Sequence, residues 1–280
     1  MDKTDKIKQE EFPLPRYVQE VLSKHNISLP SLWGRGKGEG LLGSLSVLAL
    51  QSHRYPDIDM PFLLDQLAGW QTARTKLPSW AAKEDIIYPP HLSMEQCSSE
   101  QTAEYKARLV ARLVGLENIA SSDLNNDCSR PSAGEETTPK QQENHVRNSF
   151  EGSFCDLTGG FGVDFSFIAR SFKRAIYVEQ QEKLCELARH NFHALGLTQA
   201  EVVNGDGTTY LHQLDHVSVL FLDPARRNEQ GGKTVLISDC TPDVLALEEE
   251  LLEKADSVVI KLSPMLDWHR AVDELNRLGN

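Results

Sequence analysis

Four carboxylates and one glycine-rich turn are the residues of this sequence best suited to binding a ligand. The stretch CDLTGGFGVD (155–164) places Asp156 before a run of glycines. Glycines leave the backbone bare, so that a ligand can approach the chain and the N-terminus of a following helix. Glu179, Asp206 and Asp223 each follow a later apolar run, in the sequences YVEQ, NGDG and LDPARR. Carboxylates spaced in this way can accept hydrogen bonds from hydroxyl and amino groups.

Two common phosphate-binding patterns are excluded. A GxGxxG fingerprint that includes Gly160 and Gly162 needs glycine at 165, where the residue is Phe165. The sequence GGKT (231–234) resembles the end of a GxxxxGK[ST] loop, but Arg227 occupies the position of its first glycine. The glycine-rich turn is therefore not a dinucleotide fingerprint, and GGKT is not the end of a P-loop.

Strands and helices are predicted to alternate from residue 150 onward. The predicted strands are 150–156, 175–179, 200–204, 217–223 and 257–262, and helices are predicted at 163–171, 182–195, 208–214 and 242–253. A βαβ series predicts an α/β fold with a parallel sheet, whose ligands bind at the carboxyl ends of the strands. Taken singly, each carboxylate can be a turn residue or a charge facing solvent. Together, at the ends of four successive strands, they indicate a cofactor site.

The rest of the chain divides into two regions of different composition. Residues 1–115 predict an N-terminal helical domain, because apolar residues recur at helical spacing from residue 14. Residues 116–149 are rich in Ser, Asn, Glu, Thr and Pro, which predicts a disordered insertion before the 150–280 domain.

The bulk properties limit the class of protein. A hydrophobic fraction of 40% fits a globular protein, and a net charge of −12 argues against coating nucleic acid through bulk charge. Five cysteines without a CxxC pair predict a reduced protein with no metal site. The sequence shows no signal peptide and no apolar stretch long enough to span a membrane, so we expect a cytoplasmic protein without a membrane partner.

The combined motifs resemble those of class I S-adenosylmethionine-dependent methyltransferases. More narrowly, YPPHLSMEQCSSEQTAEYKA, DLTGGFGVD, LDPARR, DCTPD and KLSPMLD are similar to bacterial RNA methyltransferases that carry a THUMP-like domain after the catalytic domain. The resemblance implies a Rossmann-like fold and S-adenosylmethionine as cofactor. It also implies cofactor contacts from Thr102, Asp156, Thr158, Gly160, Gly162, Glu179 (ribose) and Asp206 (adenine). Thr158 stands where a glycine is usual, and Thr102 can equally be a solvent-facing residue of a first helical turn.

The resemblance also implies where the methyl acceptor binds. The sequence DPAR lies where related amino-methyltransferases have an Asp/Asn-Pro-Pro-aromatic motif, so Asp223 and the Pro224 carbonyl are expected to accept hydrogen bonds from a target amine. Arg226 replaces the aromatic residue, and its guanidinium can stack on a base or pair with a phosphate. Arg226 can equally be a surface arginine that follows a strand. The resemblance implies RNA as the substrate, with a guanine exocyclic amine as the candidate acceptor. Arg227 and Lys233 can extend a basic rim.

Three alternatives follow from the same residues. The substrate can instead be a small molecule or a protein, which the acidic net charge favours slightly. Methylation of a uracil carbon is disfavoured, since the fifth strand ends in KLSP rather than near a cysteine nucleophile, and Cys240 lies in the preceding loop. Seven strands are usual for this class and five are predicted here, without a THUMP-like domain. We therefore expect a truncated chain that is poorly active and aggregation-prone, or a non-catalytic RNA-binding module. No pattern indicates the oligomeric state.

Overall fold

A computed structural model describes residues 12–27, 41–116, 150–226, 236–264 and 266–277. The chain divides into two compact units. The first contains residues 1–102, 160–163 and 181–198, and the second contains residues 103–159, 164–180 and 199–280. Residues 117–149 of the predicted insertion, Arg227 and Lys233 lie outside the described residues. The domain boundaries expected from the sequence stay predictions.

The described helices and strands alternate along the second half of the chain. The α-helices are α1 (Arg16–Lys24), α2 (Leu41–Leu50), α3 (Met60–Lys76), α4 (Pro78–Ala81), α5 (His91–Gln96), α6 (Glu100–Leu113), α7 (Val163–Ile168), α8 (Glu182–Ala194), α9 (Gly207–Gln213), α10 (Val244–Lys254) and α11 (Trp268–Leu275). The strands are β1 (Phe150–Asp156), β2 (Phe172–Glu179), β3 (Ala200–Asn204), β4 (Val217–Leu222), β5 (Ala225–Arg226), β6 (Cys240–Thr241) and β7 (Ala255–Ile260).

Helix α3 organises the first unit. Its N-terminus is capped by Asp59, whose carboxylate accepts a hydrogen bond from the Phe62 amide at 3.1 Å. Apolar residues at helical spacing on α3, including Leu63 and Leu67, are buried in one cluster with Val18 of α1. The helical sequence expected before the sheet is therefore present.

The second unit is built on a five-stranded sheet in which all neighbouring strands are parallel. The strand order is β3–β2–β1–β4–β7, so β1 lies in the centre, and Phe154 pairs with Ala175 on one side and Val219 on the other. The predicted α/β fold with five parallel strands is confirmed. Strands β5 and β6 form a separate antiparallel ribbon of two residues each, which is too short to give a periodic signal in the sequence.

Both faces of the sheet are covered by apolar residues. Successive side chains of a strand point to opposite faces, and two neighbours in β1 show this. Phe154 stacks with Phe165 and Phe172, with ring centroids at 5.6 and 5.5 Å, whereas Cys155 is buried in a different cluster that includes Val244 and Leu251 of α10. Burial on both faces is the usual state of a parallel sheet. No helix among the described residues is long and apolar enough to cross a membrane.

Candidate active site

The turn after β1 connects two of the predicted acidic residues through one threonine. Oδ1 of Asp156 accepts hydrogen bonds from the Thr158 amide at 2.9 Å and from the Thr158 hydroxyl at 3.3 Å. The same hydroxyl oxygen accepts a hydrogen bond from the amide of Asp223 at 2.6 Å. Since β1 and β4 are parallel neighbours, their carboxyl ends lie at one edge of the sheet, and Thr158 ties the two ends together.

The glycines of the turn have separate roles. Gly160 and Gly162 have φ angles of 58° and 82°, in the left-handed region that favours glycine. Gly159 lies against Tyr177, because a Cβ atom at 159 would come within 2.3 Å of that ring. Part of the glycine pattern is therefore required by packing, and part by the backbone path into α7.

The turns after β2 and β3 place two more predicted carboxylates at the same edge. The Glu179 carbonyl accepts hydrogen bonds from the Gly205 amide and the Asn204 side-chain amide, both at 3.0 Å, so the two turns are joined. Asp206 caps α9, because its Oδ1 accepts from the Thr209 amide at 2.8 Å and from the Thr209 hydroxyl at 3.1 Å. No hydrogen bond to Oδ2 of Asp206 occurs among the described residues.

Asp223 and three further charged side chains, Lys106, Asp164 and Lys261, form what we call the charged ladder. The Lys106 ammonium lies 2.5 Å from Oδ2 of Asp164, and the Lys261 ammonium lies 3.8 Å from that same oxygen. Lys261 also donates a short hydrogen bond to Oδ2 of Asp223. The Lys261 amide donates to the Leu222 carbonyl at 2.8 Å, which places Lys261 directly beside Asp223.

Three members of the ladder are not among the site residues predicted from the sequence. Asp164 ends the stretch DLTGGFGVD and Lys261 begins KLSP, so both lay within motifs that had been singled out. Lys106 lies within YPPHLSMEQCSSEQTAEYKA, but that motif does not set it apart, since a lysine within a helix is normally exposed. Only its burial marks it, with 7% of the residue exposed.

Burial and neighbouring charges shift the pKa values of three side chains of this site, Asp156, Lys106 and Lys261. Burial raises the pKa of Asp156 to about 7, and the carboxylates of Asp164 and Asp223 add to that rise, while hydrogen bonds from Thr158 oppose it. Burial lowers the pKa of Lys106, and the Asp164 carboxylate limits that decrease. Burial acts to lower the pKa of Lys261 too, but Asp223 and Asp164 outweigh it and leave that pKa raised. Lys261 is therefore a cation at neutral pH.

Thr102, Pro224 and Arg226 are the remaining predicted site residues. Thr102 belongs to the first unit, and its hydroxyl lies 2.7 Å from the Ser99 hydroxyl in the first turn of α6. Pro224 is buried directly after Asp223, and the Arg226 backbone pairs with Cys240 in the short ribbon. Cys240 itself is buried in the core. The functional roles expected for these residues, and for Gly160 and Gly162, stay predictions.

The described residues contain no group of three or more His, Cys, Asp or Glu side chains that could hold a metal ion.

Comparison with known proteins gives matches among solved structures. No family model matches the chain, and a search of curated proteins gave no match. A candidate methyltransferase from Porphyromonas gingivalis W83 is 26% identical over 80% of this chain, with a TM-score of 0.55. This chain spans 50% of that protein's length.

Two further similar structures are more distant. The S-adenosylmethionine-dependent methyltransferase from Agrobacterium tumefaciens is 17% identical, with a TM-score of 0.33, over 46% of this chain and 45% of that one. The O-methyltransferase from Bacillus cereus, in complex with S-adenosylhomocysteine, is 15% identical, with a TM-score of 0.37, over 75% of this chain and 68% of that one. The chain thus has a Rossmann-like α/β fold that matches the P. gingivalis protein.

Proposed function

We propose that this chain is an S-adenosylmethionine-dependent methyltransferase and that its substrate is RNA. The observation that carries the proposal is the arrangement of Asp156, Glu179, Asp206 and Asp223 at the carboxyl ends of β1, β2, β3 and β4. Ligands of open parallel sheets bind at this edge. The similarity to the P. gingivalis candidate methyltransferase supports the reaction class.

The residues at this edge fit the chemistry of S-adenosylmethionine. Glu179 would accept hydrogen bonds from the ribose hydroxyls, and Oδ2 of Asp206 would accept one from the adenine amino group, since Oδ1 is occupied by the α9 cap. The turn at Gly160 and Gly162 leaves the backbone bare for the methionine part. Asp156, which is buried, holds Thr158 through Oδ1 and would line the methionine part of the cofactor.

The chain's own residues would position the methyl acceptor. When bound, the cofactor supplies a methyl group on a sulfonium centre. Asp223 and the Pro224 carbonyl would accept hydrogen bonds from the target nitrogen and so direct its lone pair toward that methyl carbon. Thr158 holds the Asp223 backbone in place. Asp223 can also take the proton that the nitrogen loses when the new N–C bond replaces the C–S bond, whose electron pair stays on sulfur.

An RNA substrate is supported by the motif that contains Asp223. The sequence DPAR resembles the acceptor motif of amino-methyltransferases, and the candidate methyl acceptor is a guanine exocyclic amine. Arg226, close to Asp223 in the sequence, supplies a guanidinium for an RNA contact. The net charge of −12 makes a local contact more suitable than bulk electrostatic binding.

Two measurements test the proposal in sequence. Calorimetric titration with S-adenosylmethionine should show binding, and Glu179→Ala should weaken it about tenfold or more, because a hydrogen bond to a charged group is lost. Glu253→Ala, which replaces an exposed carboxylate on α10, is the matched control and should bind normally. Absence of binding to the unchanged chain would refute the cofactor assignment.

The second measurement addresses the substrate. Tritium transfer from labelled S-adenosylmethionine should label total RNA taken from cells that lack the gene. Labelling of proteins or small molecules instead would establish the alternative substrate classes. Cofactor binding without any transfer would indicate a non-catalytic module.

A further inference from the structure

We infer that Lys261 binds the methyl acceptor together with Asp223, and that this pair selects a nucleobase N–H that has a lone-pair atom beside it. The inference rests on the proposed function and extends it to the chemistry of the acceptor. It assigns a substrate-binding role to a lysine that the acceptor motif does not contain.

The Lys261–Asp223 pair is more accessible than the Lys106–Asp164 pair. The side chains of Lys261 and Asp223 are 28% and 37% exposed, whereas those of Lys106 and Asp164 are 9% and 10% exposed. The charged ladder thus runs from a buried pair to a pair at the rim of the sheet edge. Of the two pairs, Lys261 and Asp223 are the more accessible to a large ligand.

The Lys261–Asp223 pair keeps hydrogen-bonding capacity for a ligand. Lys261 occupies Oδ2 of Asp223, and Oδ1 of Asp223 accepts no hydrogen bond among the described residues. An ammonium group has three donors. One serves Asp223, and Asp164 lies at 3.8 Å, so at least one donor of Lys261 remains for a ligand. The pair therefore presents an acceptor oxygen beside a donor.

An acceptor oxygen beside a donor restricts the methyl acceptors that can bind to this pair. A ligand that satisfies both groups needs an N–H donor next to an atom with a lone pair. Nucleobase edges have this pattern, as in the guanine 2-amino group beside N3, the adenine 6-amino group beside N1 and the cytosine 4-amino group beside N3. A lysine side chain or a simple alcohol has no such neighbouring atom. A hydrogen bond from Lys261 to the ring nitrogen would also fix the plane of the base and make the neighbouring N–H more acidic.

The charge state of Lys261 agrees with a donor role. Its pKa is raised by Asp223 and Asp164 against the opposing effect of burial, so the ammonium keeps its protons at neutral pH. Asp223, rather than Lys261, is then the group that can take the proton released during transfer.

The test removes the donor from the protein and its acceptor from the RNA. Once the methylated nucleotide has been identified by digestion of the labelled RNA, two oligoribonucleotides are made, with the natural base or with the adjacent ring nitrogen replaced by C–H. Their affinities for the S-adenosylhomocysteine-loaded protein, and their kcat/KM values, are measured for the unchanged chain, Lys261→Met and Lys254→Met. Lys254 is a suitable control because it lies at the opposite end of β7, about 20 Å away along the strand, and donates to the Leu214 carbonyl.

The unchanged chain and Lys254→Met should prefer the natural oligonucleotide by about 10- to 100-fold, the loss expected for a hydrogen bond to a charged donor. Lys261→Met should bind both oligonucleotides equally, while its affinity for S-adenosylmethionine stays unchanged. Lys261→Gln, which keeps a shorter donor, should retain a small preference and replaces Lys261→Met if circular dichroism shows that the latter is unfolded.

Two outcomes would overturn the inference while leaving the proposed function intact. One is Lys261→Met preferring the natural base as strongly as the unchanged chain does. The other is a methylated atom without an adjacent lone pair. Failure of the unchanged chain to bind S-adenosylmethionine, or to label RNA, would instead refute the proposed function.

Discussion

The two lysine–aspartate pairs of the charged ladder have the same chemistry in different surroundings. Lys106 and Asp164 lie 2.5 Å apart with about a tenth of each side chain exposed. Lys261 and Asp223 are in direct contact as well, but about a third of each side chain is exposed. The second pair is therefore the more open of the two to a ligand.

The difference in exposure predicts different energetic roles. Removing one partner of a buried ion pair leaves the other charge without compensation in a medium of low dielectric constant, which is costly. Removing one partner of a half-buried pair costs less, because water solvates part of the charge that remains. We therefore expect the buried pair to matter most for stability and the rim pair to matter most for activity.

The largest expected effect is on activity, at the rim pair. Asp223→Ala should lower methyl transfer about 1,000-fold, since positioning and proton acceptance are lost together. Its affinity for S-adenosylmethionine should stay within about twofold of that of the unchanged chain. Transfer and calorimetric titration measure the two quantities, and loss of both would contradict the acceptor role of Asp223.

The next effect is on stability, at the buried pair. Lys106→Met should lower the free energy of unfolding by about 3 kcal/mol, because the buried Asp164 carboxylate loses the cation that lies 2.5 Å away, while Lys261 lies at 3.8 Å. Lys261→Met should lower it by about 1 kcal/mol or less. Urea denaturation of both variants makes the comparison, and equal losses would show that burial does not separate the two pairs.

Asp156 extends the comparison to a buried carboxyl that makes no ion pair within the described residues. Its pKa is raised from 3.8 to about 7 in the folded protein, chiefly by burial. A raised carboxyl pKa contributes stability at low pH, and that contribution is lost as the pH rises from about 4 through about 7. Between pH 5 and pH 8 the free energy of unfolding should therefore fall by about 2.5 kcal/mol.

Asp156→Asn is the control for this pH dependence. The variant keeps an oxygen that can accept from Thr158 but cannot ionise, so the change in its free energy of unfolding from pH 5 to pH 8 should be smaller by that amount. Urea titrations at both pH values measure it. Identical pH profiles for the variant and the unchanged chain would show that Asp156 titrates in its ordinary range.

The smallest effect concerns the link between Asp156 and Asp223. Thr158→Val removes the hydroxyl and leaves the Asp223 amide without that acceptor, which should cost about 1 kcal/mol of unfolding free energy. Thr158→Ser keeps the hydroxyl and should be close to the unchanged chain. If S-adenosylmethionine affinity falls only in Thr158→Val, the hydroxyl also serves the cofactor. Full stability of Thr158→Val would argue against the link.

Much of the fold follows from local patterns in the sequence. The alternation of apolar runs and helical periods is a short-range property, and for that reason the five parallel strands and the helices between them were predicted. The predicted ends of some strands differ from those in the structure. Strand β2 begins at Phe172 rather than at 175, and β7 ends at Ile260 rather than at 262. The end of a strand is set by its hydrogen bonds to neighbouring strands. A local sequence pattern carries no information about those partners.

The sequence by itself determined that Asp156, Glu179, Asp206 and Asp223 lie at or just after the ends of successive strands, because strand spacing and turn residues are local features. Only the tertiary structure decided which charges meet at that edge. Lys106 comes from α6 and Lys261 from the end of β7, and both reach Asp164 because folding brings distant segments together. Burial then changes their proton affinities, since the energy of a charge depends on the solvent that surrounding atoms exclude.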